Sequence, residues 1–149
     1  MILYLDTSAL AKLFLNEEGR DRTITAVTAA GKGCTSAVAY VEARSAFARK
    51  LREGLLDEVT HERIVRAFDY RWSALLRREV TLSLAREAGE LAQRLELRGY
   101  DAVHLASALD FQRRFGEITF LGFDDRLNDA ALEAGLALYG QDSASGATH

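Results

Sequence analysis

The side chains best suited to chemistry in this sequence are four carboxylates spread along most of its length. They are Asp6, Glu42, Asp101 and Asp124. Carboxylates gathered without a lysine nearby repel one another and raise one another's pKa values unless a cation lies between them. Oxygen ligands without a histidine or cysteine cluster favour Mg²⁺ or Mn²⁺ over zinc. If the fold brings the four together, they predict a divalent-metal site, and such a site usually acts on phosphate.

Each of these carboxylates also has a purely structural interpretation. Asp6 and Asp101 are suited to be helix N-caps and Asp124 to be a turn residue, because aspartate accepts hydrogen bonds from nearby backbone N–H groups. Glu42 is suited to a solvated helix surface. Its position one helical turn from Val38 instead predicts that it borders an apolar stripe and faces inward at the edge of the sheet.

The elements that must position these carboxylates can be predicted from the apolar pattern. Strands are predicted at 2–5, 34–36, 118–123 and 136–139, with 80–82 a weak strand or an extended connection. Helices are predicted at 9–15, 18–30, 38–51, 57–79, 83–97, 101–114 and 126–134, of which 57–79 is the longest. Short strands separated by helices predict a single α/β domain with a mainly parallel central sheet flanked by helices on both faces. In such sheets the functional side chains collect at the carboxyl ends of the strands.

The composition is that of an ordinary globular domain. The chain has 149 residues, of which 48% are hydrophobic and 28% charged, and its net charge of −3 excludes a disordered chain and an all-over basic nucleic-acid binder. Its longest uncharged stretches, 23–31 and 33–41, are far shorter than the ~20 residues that a membrane span needs. Asp6 interrupts the first apolar run and Cys34 is the only cysteine. We therefore expect no membrane span, secretory signal or disulfide, and a cytoplasmic location.

Four segments, taken in order, resemble PIN-domain nucleases. They are Tyr4-Leu5-Asp6-Thr7-Ser8-Ala9-Leu10, Val41-Glu42, Tyr100-Asp101-Ala102-Val103-His104-Leu105-Ala106 and Phe123-Asp124-Asp125-Arg126-Leu127. The third segment is the most specific of them. The resemblance runs from Met1 to about Tyr139 and is closest to the VapC type of bacterial and archaeal toxin.

This resemblance implies a PIN nuclease domain over residues 1–140 that cleaves RNA with a metal-activated water, as the toxin of a type II toxin–antitoxin system. Within it, Asp6, Glu42, Asp101 and Asp124 would be the catalytic residues around a Mg²⁺ or Mn²⁺ ion, and Ser8 would support the site. The family context implies a homodimer and a VapB-type antitoxin that blocks the acidic pocket. Residues 141–149 are expected to be a disordered tail or a vector-derived remnant.

Two details near the last aspartate qualify the resemblance. The site is assigned to Asp124 rather than Asp125 because the family pattern has a leucine three residues later, and Leu127 fits only that register. The family often has threonine or serine two residues before this aspartate, where this chain has Gly122. The chain therefore lacks one hydroxyl that would contact metal-bound water or phosphate.

Other functions and other residues stay open in the sequence. One alternative is a Mg²⁺-dependent phosphatase with Asp6 as nucleophile, although that pattern normally has an aspartate where this chain has Ser8. Another is a PIN-like binding scaffold without turnover. His104 either orients a phosphate or packs as a buried histidine. The apolar stripe that includes Trp72 predicts core or an interface. Candidate ligands for RNA phosphates are Arg44, Arg49 and Arg126.

Overall fold

A parallel β-sheet forms the centre of the molecule. The computed structural model of the chain describes residues 1–141, and the predicted tail lies outside the described residues from 142 onward. The strands are β1 (Ile2–Leu5), β2 (Lys32–Ser36), β3 (Leu76–Arg78), β4 (Ile118–Leu121) and β5 (Ala137–Leu138). Their order across the sheet is β3-β2-β1-β4-β5, and every pairing is parallel. The predicted α/β class with a parallel central sheet is confirmed.

Helices cover both faces of this sheet. They are α1 (Thr7–Lys12), α2 (Arg20–Ala29), α3 (Val38–Arg52), α4 (Glu58–Trp72), α5 (Leu82–Leu95), α6 (Gly99–Phe115) and α7 (Asp125–Glu133). Side chains alternate along β1, so that Tyr4 packs among residues of α5, α6 and α7, whereas Leu3 and Leu5 pack among residues of α1 to α4. Because both faces are covered, β1 is almost continuously apolar. None of the helices within residues 1–141 is long and apolar enough to cross a membrane.

The region between α4 and α5 differs from the sequence prediction. The helix predicted to run from 57 to 79 ends at Trp72, and the following residues form the edge strand β3. Leu75 and Leu76 continue the helical spacing of apolar residues, but they pack on the sheet instead: Leu76 pairs with Cys34 of β2. Residues 80–82, the weak strand candidate, form no strand. Part of the apolar stripe is core, since Phe68 is fully buried and the partly buried Ile64 and Trp72 pack against the same cluster.

Helix α6 also begins earlier than predicted. It starts at Gly99 and has 17 residues, whereas α4 has 15, so α6 is the longest helix among residues 1–141. The chain reverses at Glu96, whose φ of +56° ends α5 in the left-handed conformation. The N-cap of α6 is Arg98, and Asp101 lies in the first turn. The interpretation of Asp101 as an N-cap is therefore wrong.

The strand order decides where a site can form. The chain moves outward in one direction from β1 to β2 and β3, and then crosses to the other side of β1 for β4 and β5. Loops that follow β1 and β4 therefore diverge at their carboxyl ends and leave a crevice there, as in other open parallel sheets. Asp6 follows β1 and Asp124 follows the loop after β4. The topology thus brings residues distant in sequence to one edge.

Candidate active site

Asp6 occupies the centre of this edge and is almost completely buried, with 4% of its surface exposed. As the N-cap of α1, its Oδ1 accepts hydrogen bonds from the Ala9 N–H at 2.9 Å and the Ser8 hydroxyl at 2.7 Å. Burial raises the pKa of Asp6, and Asp101 adds to this, while the His104 imidazole, the Ala9 N–H and the Ser8 hydroxyl oppose it. The charged form of Asp6 is thus only partly compensated by the residues around it.

Ser8 joins the two loops that form the crevice. Its hydroxyl donates to Asp6 and accepts a hydrogen bond from the backbone N–H of Phe123 at 3.1 Å. The loop after β4 therefore has its position fixed relative to Asp6. Gly122, in the same loop, lies so close that a Cβ placed there would be 2.5 Å from Asp6 Oδ2. A side chain at this position would displace the carboxylate.

Glu42 lies in the second turn of α3, half-buried, and faces the same edge. Its Oε1 accepts hydrogen bonds from the hydroxyl of Thr7 and from Nε2 of His104, the latter at 3.0 Å. Burial alone would raise the pKa of Glu42, but the hydrogen bonds from His104 and Thr7 and the charge interaction with His104 outweigh it and leave the pKa below its usual value. Glu42 is therefore held ionised and in one orientation.

His104 and Tyr4 position Glu42, a role that was not predicted for either residue. His104 is 2% exposed, and its Nδ1 lies 2.8 Å from the Tyr4 hydroxyl. Burial is the main reason that the pKa of Tyr4 lies well above its usual value, so this hydroxyl keeps its proton and can donate it to Nδ1 when the imidazole is neutral. With Nδ1 as acceptor, the imidazole has its Nε2–H to donate to Glu42. The signals in the sequence are a histidine one turn after Asp101 and a tyrosine on the α6 face of β1.

Asp101 and Asp124 meet through an arginine. The guanidinium of Arg98 lies 3.4 Å from Asp101 Oδ2 through Nε and 3.2 Å from Asp124 Oδ2 through Nη2. The other oxygen of Asp124 caps α7 by accepting from the Leu127 N–H at 3.0 Å. Arg98 was not among the predicted site residues, although its i, i+3 spacing from Asp101 indicates the ion pair.

The side chains at this edge offer the oxygen donors that a divalent cation binds, but they are not yet close enough together to surround one. Within residues 1–141, no three histidine, cysteine, aspartate or glutamate side chains are gathered closely enough to hold a metal ion as they stand. Mg²⁺ needs fewer, because it usually binds through one or two carboxylates and keeps several waters. The mutual repulsion of Asp6 and Asp101 favours a cation between them. The all-oxygen donors therefore fit Mg²⁺ or Mn²⁺.

A cavity of about 770 Å³ opens beside these carboxylates, between α5 and α6. Its walls include Glu42, Asp101 and Arg98, together with small side chains of α5 such as Ala88 and Ala92. It is open to solvent. The cavity places an apolar surface directly next to the acidic edge.

Of the three arginines predicted to bind phosphate, Arg44 and Arg49 lie away from the acidic edge and Arg126 lies near it. Arg44 donates to the hydroxyl of Tyr40 at 2.8 Å and so faces the α4 side. Arg49 is exposed two turns further along α3 than Glu42. Arg126 lies near the site, at the start of α7, where it donates to the backbone carbonyl of Glu96 at 3.4 Å. Cys34 is buried, and burial raises its pKa to about 12, so its thiol keeps its proton at neutral pH.

Comparison with known proteins gives the family. The PIN domain family matches residues 3–133. Two curated proteins of Mycobacterium tuberculosis, Ribonuclease VapC45 and Ribonuclease VapC49, are each 36% identical over 108 residues, which cover 72% of this chain and 75% of each relative.

Solved structures agree on the fold. VapC20 of Mycobacterium tuberculosis, described as a sarcin-ricin loop cleaving toxin, superimposes with a TM-score of 0.65 at 20% identity, covering 91% of this chain and 96% of that one. The toxin–antitoxin complex VapBC2 of Rickettsia felis, solved on a DNA fragment from its promoter, gives 0.64 at 14% identity, covering 95% and 100%. Because the family match spans most of the chain and the curated relatives are 36% identical, the chain belongs to the PIN-domain family.

Proposed function

We propose that this protein is a Mg²⁺- or Mn²⁺-dependent endoribonuclease and the toxin of a type II toxin–antitoxin system. The observation that carries the proposal is that Glu42 and Asp101 line one open cavity, while Arg98 joins Asp101 to Asp124. Asp6 follows the central strand β1 at the same edge of the sheet. Curated relatives at 36% identity are named ribonucleases, which supports RNA as the substrate. Asp6, Glu42, Asp101 and Asp124 are the proposed catalytic and metal-binding residues.

The residues would divide the work according to their surroundings. A bound divalent cation would supply an activated water and stabilise charge on the phosphate oxygens. Asp6 is fixed through Oδ1 by Ser8 and Ala9, which leaves Oδ2 for the site. Glu42, whose pKa is lowered, stays ionised at neutral pH and orients a water or a metal-bound water. Ser8 acts by holding Asp6, rather than by contacting the substrate.

Asp101 and Asp124 would complete the site from the other side of the crevice. Asp124 is anchored by its cap bond to the Leu127 N–H, so only its Oδ2 is directed to the site. This geometry suits a residue that completes the metal shell or orients the attacking water. Asp101 projects from the first turn of α6, next to the cavity that would admit RNA.

A toxin of this kind would bind an antitoxin and act where RNA is found. The toxin role implies a VapB-type antitoxin, and it is supported by solved neighbours that are toxin–antitoxin complexes, among them VapBC2. The cavity between α5 and α6 is the surface proposed for blocking by the antitoxin. We also propose a homodimer and a cytoplasmic location, where the RNA substrate is found.

The alternative functions gain no support from the site. An aspartyl phosphatase needs a second acid where Ser8 stands, and the Ser8 hydroxyl donates to Asp6 and accepts from the Phe123 N–H. A binding scaffold without turnover would keep the acidic edge but not cleave RNA. Turnover therefore separates the scaffold from the nuclease.

The test is RNA cleavage by the purified protein with Mg²⁺, Mn²⁺, Zn²⁺ or EDTA. We expect cleavage with Mg²⁺ or Mn²⁺, loss of cleavage in EDTA, and loss in Asp6→Asn. Asp21→Asn, at an exposed carboxylate on α2, is the matched control and should cleave normally. Cleavage that chelation does not affect, or that only Zn²⁺ restores, would contradict the metal assignment.

The toxin role is tested in a bacterial host. Expression of the wild-type chain without a partner should slow growth, and Asp6→Asn should relieve that effect at equal soluble levels. Equal toxicity of both forms would show that the growth effect does not depend on this site.

A further inference from the structure

Arg98 is the arginine that the structure places against two of the proposed metal ligands. Within residues 1–141, Asp101 and Asp124 form ion pairs with Arg98 and with no other side chain. The guanidinium contacts Oδ2 of both carboxylates, at 3.4 and 3.2 Å, and the Oδ2 of Asp124 is the oxygen left over from its cap. Arg98 therefore occupies the oxygens that a bound cation would use.

The two sides of this contact differ in how firmly they are held. The side chain of Arg98 is 78% exposed, whereas those of Asp101 and Asp124 are 23% and 36% exposed. Another pair in the same chain, Arg78 with Asp110, shows the contrast, because both side chains are under 20% exposed and the atoms are 2.7 Å apart. That pair is a fixed structural contact. Arg98 instead is a long side chain held at its tip by exposed, weak ion pairs.

We infer that Arg98 is an exchangeable counter-ion of the active site. In the metal-free chain it neutralises Asp101 and Asp124, a divalent cation displaces it from them, and the released guanidinium binds a phosphate of the RNA. The inference rests on the proposed metal-dependent nuclease function and assigns a substrate-binding residue to it.

The exchange follows from the chemistry of the two cations. A divalent ion carries twice the charge of a guanidinium and prefers hard carboxylate oxygens, so it competes effectively for the same atoms. Guanidinium is weakly hydrated and matches phosphate geometry with two parallel hydrogen bonds. When metal takes the carboxylates, phosphate becomes the best remaining partner of Arg98.

The position of Arg98 suits this second role. Its side chain lines the same cavity as Glu42 and Asp101, so a released guanidinium stays where a backbone phosphate approaches the acidic edge. Its backbone is fixed as the N-cap of α6, with the carbonyl accepting from the Ala102 N–H at 3.0 Å. The exchange therefore needs rotation of one side chain and no movement of the helix.

The test measures metal affinity and RNA cleavage separately in Arg98→Gln. Mn²⁺ binding is followed by calorimetry or by the electron paramagnetic resonance of free Mn²⁺, with no RNA present. Removal of a competing cation should tighten Mn²⁺ binding about two- to tenfold, the range expected from two exposed ion pairs. At saturating Mn²⁺, the KM for RNA should rise roughly fivefold or more through loss of a charge-assisted phosphate contact, and Arg98→Lys should restore part of it.

Arg126→Gln is the matched control for the metal measurement. It removes the same charge from an exposed arginine at the start of α7, which contacts a backbone carbonyl instead of the carboxylates. Its Mn²⁺ affinity should stay within about twofold of wild type, since an exposed charge that contacts no ligand contributes little. A general loss of structure in Arg98→Gln would weaken Mn²⁺ binding, and the inference requires the opposite sign.

The outcomes separate this inference from the function on which it rests. If wild type binds Mn²⁺ and cleaves RNA but Arg98→Gln binds Mn²⁺ no more tightly than Arg126→Gln, the exchange is overturned and the nuclease stands. Tighter Mn²⁺ binding with an unchanged KM overturns the phosphate contact and with it the inference as stated. If wild type neither binds Mn²⁺ nor cleaves RNA with it, the proposed function itself fails.

Discussion

Replacement of Tyr4 by phenylalanine tests the hydrogen-bond chain that positions Glu42. The change removes one hydroxyl and keeps the ring, which stacks on Phe120 with centroids 5.4 Å apart. It leaves Nδ1 of His104, a residue that is 2% exposed, without the hydrogen-bond partner that lies 2.8 Å away in the wild type. Water cannot easily replace the lost partner, because both ring and hydroxyl are buried.

The expected cost follows from that burial. A buried polar atom left without a hydrogen bond costs about 1–3 kcal/mol, whereas the apolar ring of phenylalanine recovers part of this in the core. We expect Tyr4→Phe to lower the free energy of unfolding by about 1–2 kcal/mol. Tyr70→Phe is the control: Tyr70 is 83% exposed, so its change should stay within about 0.5 kcal/mol.

Urea unfolding followed by fluorescence of the single tryptophan, Trp72, measures the change. The midpoint should fall for Tyr4→Phe while the slope with denaturant stays constant. A double-mutant cycle with Glu42→Gln should show a coupling of about 0.5 kcal/mol or more, because both changes act on His104. RNA cleavage should fall as well, since Glu42 loses its fixed orientation. Wild-type stability in Tyr4→Phe, or strictly additive effects in the cycle, would refute the chain of contacts.

Of three further predictions, two concern residues at the acidic edge, and the third concerns an ion pair elsewhere in the molecule. Asp124→Asn should reduce cleavage more than Asp125→Asn, because only Asp124 is directed to the crevice. Asparagine caps a helix about as well as aspartate, so the loss would not come from the cap. The reverse ranking would assign the site to Asp125 instead of Asp124. Gly122→Ser should reduce both stability and cleavage, measured by unfolding and RNase assay, because a Cβ there meets Asp6 Oδ2; full activity would show that the carboxylate moves freely. Burial would raise the pKa of Asp110, but hydrogen bonds and charge from two arginines outweigh it and lower that pKa. The ionised carboxylate of Asp110 therefore stabilises the fold at neutral pH, and this effect is lost as the pH falls through the lowered pKa. Asp110→Asn should lower the free energy of unfolding by about 1–3 kcal/mol at pH 7, and the difference from wild type should disappear in acid. A difference in the free energy of unfolding that does not change with pH would contradict the lowered pKa of Asp110.

The spacing of apolar residues along the chain predicted most of the strands and helices. It failed where a strand continues the apolar spacing of the helix before it. β1 and β4 are apolar runs bounded by acids, so both were found at almost their observed positions. β3 was missed because Leu75 and Leu76 keep helical spacing after α4, and three residues are too few to establish a period of two. β2 begins two residues earlier than predicted. Gly33 indicates a break in the sequence, but in the sheet it makes room for Leu75, whose Cδ2 would lie 2.9 Å from a Cβ there.

The candidate site was predictable in its acids and not in their partners. Asp6 and Asp124 stand directly after predicted strands, and the edge where parallel strands end follows from the fold class. Their surroundings depend on contacts between residues far apart in the chain. His104 meets Tyr4 across 100 residues and Glu42 across 62, and no local pattern encodes either distance. Such contacts appear only when the order of strands is known.

Asp6 and Asp124 can each cap a helix and also serve a metal site, because a carboxylate has two oxygens. Asp6 and Asp124 each use Oδ1 to cap a helix, and Asp124 directs Oδ2 to Arg98 across the crevice. The cap fixes the carboxylate more rigidly than a solvated side chain would be, and a preorganised ligand is what a metal or water site requires. Replacement by asparagine keeps the capping oxygen and removes only the charge. Loss of metal binding without loss of stability in these two variants would therefore assign the charge to function and the cap to the fold.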